Sequence, residues 1–290
     1  MRRVAFLLGD FMMRILTFLC ISISFLLLAC NKQSPAPSGQ NISYMNIHYQ
    51  PDTMQIMDVY VPGTTQKTII PVFILVHGGG WFAGDKTDFD NNGIYNILMG
   101  YGYAVVNINY RLAPTYTYPA PLDDIDSVIA FLQKKSAVWG IDPTHICIAG
   151  RSSGGQIALM YAYTRNQAGR IKAAADFFGI TDLTALQDMA VRLDTQIANY
   201  MGVAYLNNKP LWHNASPLYH MDGAIPTAIF HGSADQTVYP TQSQWLRDSL
   251  QQRGIPYYYL SLPGLDHYFD STTWQSTMNT TANWVNAYVF

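Results

Sequence analysis

Glutamate is absent from the 290-residue chain. All 19 acidic side chains are aspartates, so any carboxylate that serves as acid, base or orienting group must be one of them. Charge is scarce altogether: Lys, Arg, Asp and Glu make up 12% of residues, and no Lys/Arg stripe occurs, which argues against nucleic acid as a partner. Cysteine is nearly missing. Of Cys20, Cys30 and Cys147, only Cys147 falls in the part expected to fold, which excludes an intrachain disulfide framework. No Cys/His cluster has the spacing of a zinc site, and neither metal nor cofactor is expected. There is no internal repeat.

What is present begins with an apolar run. Residues 1–29 carry Arg2, Arg3 and Arg14, then "ILTFLCISISFLLLA", the layout of a signal peptide. The end of that run, "LLAC" (27–30), resembles a bacterial lipobox, in which Cys30 would be freed and lipidated. A transmembrane anchor and an ordinary secretory signal are the alternatives, although Ile15 to Ala29 is short for a bilayer span. Asp10 sits awkwardly in an n-region, so a start at Met12 or Met13 is expected in place of Met1. Residues 30–41, with "NKQSPAPSGQN", read as a polar tether. The expectation is a lipid-anchored protein of the bacterial cell envelope, periplasmic or surface-exposed, touching membrane through that anchor only. Without residues 1–29 the charge is about −4.

Residues 42–290 suit one α/β domain. "ISYMNIHY" (42–49) and "MQIMDVYVP" (54–62) alternate apolar and polar residues like half-buried antiparallel strands. "PVFILVH" (71–77) and "YAVVNINY" (103–110) are continuous apolar runs, as in strands buried on both faces. Further strands are expected at 145–150, 172–179, 227–232 and 256–264, and helices at 88–101, 122–139, 154–165, 240–253 and 272–288. This alternation implies right-handed crossovers and a mostly parallel, doubly wound sheet with helices on both faces. The stretch 182–224 lacks strand signals and is long enough for a short helical cap over the sheet's C-terminal edge, where ligands bind in such folds.

The chemistry centres on "CIAGRSSGGQIAL" (147–159). Ser152 lies in G-x-S-x-G between an expected strand and an expected helix, where a sharp turn presents a nucleophilic hydroxyl. A serine hydroxyl needs a base and an orienting acid. Asp235 in "FHGSADQTV" and His267 in "LPGLDHYF" follow later strands, in the order Ser, Asp, His. "VHGGGWFAGD" (76–85) follows the expected central strand, and its Gly79 and Gly80, joined by Ser153, are expected to offer backbone N–H groups to an oxyanion. His77 is expected to orient that loop. Asp182 is read as a helix cap, and Asp123 and Asp124 as acids of a first helical turn. Trp81, Phe82, Tyr205 and Trp212 are expected to wall the substrate pocket.

Together "HGGGW" (77–81), "NYRLAPTYTYPAPLDD" (109–124), "GRSSGG" (150–155), "HGSAD" (231–235) and "GLDHYF" (264–269) resemble the α/β-hydrolase serine esterases. Within them the chain is most similar to the hormone-sensitive-lipase-like carboxylesterases and the bacterial feruloyl/acetyl-xylan esterase group, from about residue 45 onward. The resemblance implies esters of short acyl or aryl acids, such as acetyl or feruloyl groups on plant polysaccharide, with no cofactor. It departs from the family at Arg151, where relatives often carry Asp or His, and in a short cap. An amide hydrolase, formamidase-like or related to prolyl oligopeptidase, and a non-catalytic binding lipoprotein remain open. Oligomeric state has no signature in the chain.

Overall fold

Strand β3, Pro71–Val76, shows how the molecule is layered. It is buried along its whole length, with Val72, Ile74 and Val76 in one apolar cluster and Phe73 and Leu75 in another, so each face of the sheet carries its own core. The structure, a computed structural model, describes residues 39–63, 70–186, 190 and 192–290. The expected signal segment 1–29, Cys30 and the tether up to residue 38 lie outside the described residues.

The other strands are β1 (Ile42–His48), β2 (Ile56–Val61), β4 (Ala104–Ile108), β5 (Asp142–Arg151), β6 (Ile171–Phe177), β7 (Thr227–Gly232) and β8 (Tyr257–Leu262). The sheet order is β1-β2-β4-β3-β5-β6-β7-β8; β1 and β2 pair antiparallel with their neighbours, and all remaining pairs are parallel. Because β3 lies between β4 and β5, the winding reverses there, and a crevice opens at the C-terminal ends of β3 and β5. Register aligns those ends: Val76 pairs with Gly150, Arg151 with Phe177, Phe177 with Phe230 and Gly232 with Leu262.

Helices α1 (Ile94–Gly100) and α7 (Ser271–Val289) cover one face, burying Leu98, Trp274, Met278 and Val285. Helices α2 (Ala120–Trp139), α3 (Ser153–Thr164) and α6 (Thr241–Gln252) cover the other with Ile125, Leu132, Ile157 and Leu246. Helix α3 is buried from Ser153 to Tyr163, as an apolar helix sandwiched between layers must be. Between β6 and β7 run α4 (Arg192–Met201) and α5 (Lys209–Asn214), with 3₁₀ turns at Tyr205–Asn207 and Pro217–Gly223 and no strand among the described residues.

Three expectations need correction. The helix expected over 88–101 is two pieces, a 3₁₀ turn at Lys86–Asn92 and α1, divided at Gly93, whose φ of 67° no helix continues through. Asp124 does not cap the end of its own helix. It is fully buried, and its carboxylate accepts from Gln55 Nε2 (2.6 Å) and from Arg111 N and Nε (both 2.8 Å), tying α2 to the ends of β2 and β4. Only Asp123 stays at the surface, paired with Arg165. Asp182 starts a turn, accepting from Thr184 N and Oγ1 and from the Tyr219 hydroxyl. A second buried charge sits at Lys86, whose Nζ lies 2.6 Å from Asp58 Oδ2.

Candidate active site

Ser152 occupies the tight connection from β5 to α3 with φ 53° and ψ −123°, a left-handed conformation that a serine adopts only when its surroundings enforce it. Its N–H donates to Phe177 O (2.9 Å), which pins the turn to the end of β6. Gly154 is where this elbow meets β3. A Cβ there would fall well inside van der Waals contact with the carbonyl oxygens of Val76 and His77, so only glycine lets α3 start this close to the sheet.

His267 follows β8 and reaches back to this serine, with Nε2 3.0 Å from Ser152 Oγ and Nδ1 2.7 Å from Asp235 Oδ2. Facing a carboxylate, Nδ1 carries the ring proton, and the Nε2 lone pair is left for the serine hydroxyl. Asp235 is fully buried in the loop after β7, where Oδ1 accepts from Thr237 N (2.8 Å) and Val238 N (3.0 Å). Burial alone would raise its pKa, but hydrogen bonds from His231 and His267 outweigh it and hold the carboxyl well below the usual carboxylate range. The His267 ring packs edge-on against Phe178, 4.7 Å between centroids.

The loop after β3 forms the opposite wall. Gly79, Gly80 and Trp81 all have positive φ (115°, 62° and 64°), and their loop closes through Ala83 N donating to Gly79 O (3.1 Å). The N–H groups of Gly79, Gly80 and Ser153 donate to no protein acceptor among the described residues. Gly79 and Gly80 line the pocket that contains Ser152; Ser153 is buried behind it at the first position of α3. His77 is fully buried, its Nδ1 bonded to Gly78 O (2.7 Å) and its ring stacked on Tyr110, and burial lowers its pKa.

The pocket measures about 360 Å³. Phe178, Ile180, Leu193, Phe269 and Trp274 give it apolar walls, while Arg151, Asp88, Gln196 and Thr237 supply polar groups. Trp81 and Phe82 line it, Trp81 buried and Phe82 half-exposed, and exposed Tyr268 stands beside His267. Tyr205 and Trp212 do not. Trp212 is a core residue whose indole N–H donates to Val203 O (3.0 Å), and Tyr205 packs on it 5.4 Å away, since both belong to the segment that folds around α5. Arg151, the departure at the elbow, pairs with Asp88 (2.6 Å) and lies over the rings of Phe89 and Trp274.

Several neighbours of the site escaped the sequence reading. His231, in the same "HGSAD" stretch as Asp235, is fully buried beside that carboxylate. Gln196 and Leu193 stand on one face of α4, a spacing that signals burial without saying against what. Trp274 comes from the last helix, and nothing in spacing links it to Ser152. Asp176, at the end of β6, is fully buried; Oδ2 accepts from Gly179 N (3.3 Å), Oδ1 has no partner among the described residues, and burial pushes its pKa up to about 7.

A doubly wound sheet whose strained serine elbow, buried aspartate and histidine follow β5, β7 and β8 defines an α/β-hydrolase. Residues 57–250 match the model of the BD-FAE family, and the chain belongs to it. Among curated proteins, the probable carboxylic ester hydrolase LipM of Mycobacterium tuberculosis is 31% identical, the match covering 69% of this chain and 49% of LipM. Esterase LipQ of the same organism is 30% identical over 69% of this chain and 50% of its own. The chain thus spans about half the length of the curated relatives it matches. A solved truncated form of a carbohydrate esterase from gut microbiota shares the fold at a TM-score of 0.72 and 22% identity, covering 88% of this chain and 100% of that one. Esterase B from Lactobacillus Rhamnosis superposes at 0.71 with 20% identity, covering 96% and 94%.

Proposed function

We propose that this chain hydrolyses carboxylic esters through an acyl-enzyme on Ser152. The observation that carries the reading is the line Ser152 Oγ, His267, Asp235, at 3.0 and 2.7 Å, on a serine of positive φ. His267 Nε2 takes the hydroxyl proton as Oγ attacks the ester carbonyl, then returns it to the leaving alcohol; a water repeats the cycle on the acyl-enzyme. Asp235 holds the ring's tautomer and stabilises the imidazolium. The uncommitted N–H groups of Gly79, Gly80 and Ser153 fit the developing oxyanion, and losing one such donor costs roughly 10²–10³ in kcat.

The substrate we favour is a short acyl or aryl ester, with acetyl and feruloyl groups on plant polysaccharide as candidates. A small pocket with aromatic walls supports this, as does the fold shared with a protein named a carbohydrate esterase. The "LLAC" stretch supports a lipid anchor at Cys30 and a place in the bacterial envelope. Hydrolysis by wild type and Ser152→Ala of p-nitrophenyl esters from acetate to laurate, acetylated xylan, methyl ferulate and p-nitroacetanilide tests the proposal. Ester turnover that falls by about 10⁴-fold or more in the variant supports it. Turnover of the anilide alone favours an amidase. No turnover, with no phosphonate labelling of Ser152, leaves a binding protein.

A further inference from the structure

His231, the penultimate residue of β7, directs its buried ring at the carboxylate that His267 also binds. Its Nε2 lies 2.8 Å from Val238 O and 3.2 Å from Asp235 Oδ2; both are acceptors, so this nitrogen carries the ring proton. Its Nδ1 is then left with a lone pair, 2.7 Å from Ser243 Oγ, whose hydroxyl on α6 donates to it. Asp235 therefore receives N–H bonds from Thr237 and Val238 on Oδ1 and from His267 on Oδ2, and the His231 Nε2–H, which donates to Val238 O, stands 3.2 Å from that same Oδ2.

We infer that His231 is a positioning residue: it locks Asp235 in plane and takes up part of the charge on Oδ2, so that His267 returns its proton readily. The inference rests on the reading of Ser152, His267 and Asp235 given above. Two turn amides already orient Oδ1, so what His231 adds falls on the oxygen that faces His267. An imidazolium paired with an unshared carboxylate would hold its proton to higher pH and leave fewer molecules able to accept the serine proton. A shared carboxylate moderates that attraction. Among the described residues, the titratable groups around His231 are Asp235, His267 beyond it, and Asp176 from β6; Ser243 from α6, Val238 and Phe178 pack against it without charge.

The test compares His231→Leu with His231→Gln, whose side-chain amide reaches where Nε2 donates. For each, kcat and KM are measured against pH on a p-nitrophenyl ester, with thermal unfolding and phosphonate labelling of Ser152 alongside. The leucine variant is expected to lose about 10- to 30-fold in kcat with KM within twofold. Its acid limb of kcat/KM moves up by roughly half to one pH unit. The glutamine variant restores the limb and most of kcat. An unmoved limb in the leucine variant, or equal losses in both variants, overturns the inference. Should both fold poorly, Ser243→Ala keeps the ring but removes its anchor; a smaller upward shift of the limb supports the inference and an unmoved limb overturns it. Wild-type protein that is not labelled at Ser152 overturns the underlying reading instead.

Discussion

Gly154→Ala is the smallest change that tests whether the elbow depends on close approach. The added methyl would meet the Val76 and His77 carbonyl oxygens together, one at the end of β3 and one in the loop after it. Neither is free to yield, since Val76 belongs to the sheet and His77 O accepts from Tyr110 (3.1 Å). To reach an ordinary contact distance, the start of α3 has to retreat by roughly 1 Å. Ser152 travels with it, away from His267 and from Gly79 and Gly80. A misplacement of that size costs about 10²-fold in kcat, and overpacking costs about 1–3 kcal/mol of stability. Gly100→Ala is the control, because nothing lies within 4 Å of its Cβ position and alanine suits a helix. Both variants are assayed by kcat on p-nitrophenyl acetate and by urea unfolding. A Gly154→Ala protein as active and stable as Gly100→Ala would refute the reasoning.

Two further outcomes concern buried charge. Lys86→Met leaves the Asp58 carboxylate buried without its cation and should cost about 3–5 kcal/mol in urea unfolding; a loss under 1 kcal/mol would mean that water reaches the pair. Asp176 has a folded pKa of about 7 against 3.8 in the unfolded chain, so the unfolded state ionises first and stability falls as pH rises through that window. Asp176→Asn removes the slope: little change at pH 4, and a gain approaching about 4 kcal/mol at pH 8. Parallel wild-type and variant curves would place Asp176 in contact with solvent.

The order of elements was legible because β3 is apolar throughout, β4 is apolar apart from Asn107, and the helices carry their own stop signals, as at Gly140, whose φ is 67°. The serine elbow, Asp235 and His267 were legible because each sits in a short motif directly after a strand. The partners of Asp124 were not legible because the first turn of a helix looks alike in sequence whether its acids cap the helix or reach the core; Gln55 and Arg111, which bind it, lie just before β2 and just after β4. Tyr205 and Trp212 were placed in the pocket on aromatic character alone, which suits a core as well as a wall. His231, Gln196 and Trp274 reach the site only through tertiary packing, and periodicity reports that a residue is buried but not against what.

Gln156 lies one turn into α3 beyond the serine, and its single buried amide accepts from the Trp81 indole (2.9 Å) while donating to Ala215 O (2.8 Å). Trp81 in turn stacks on Tyr200 of α4, 4.8 Å between centroids. The glycine loop, the helix after Ser152 and the helical segment before β7 are therefore fastened at one knot. Loosening the outer segment loosens the Gly79–Gly80 wall with it, so protease nicking between α4 and β7 should track loss of turnover, and a ligand that stiffens one should protect the other.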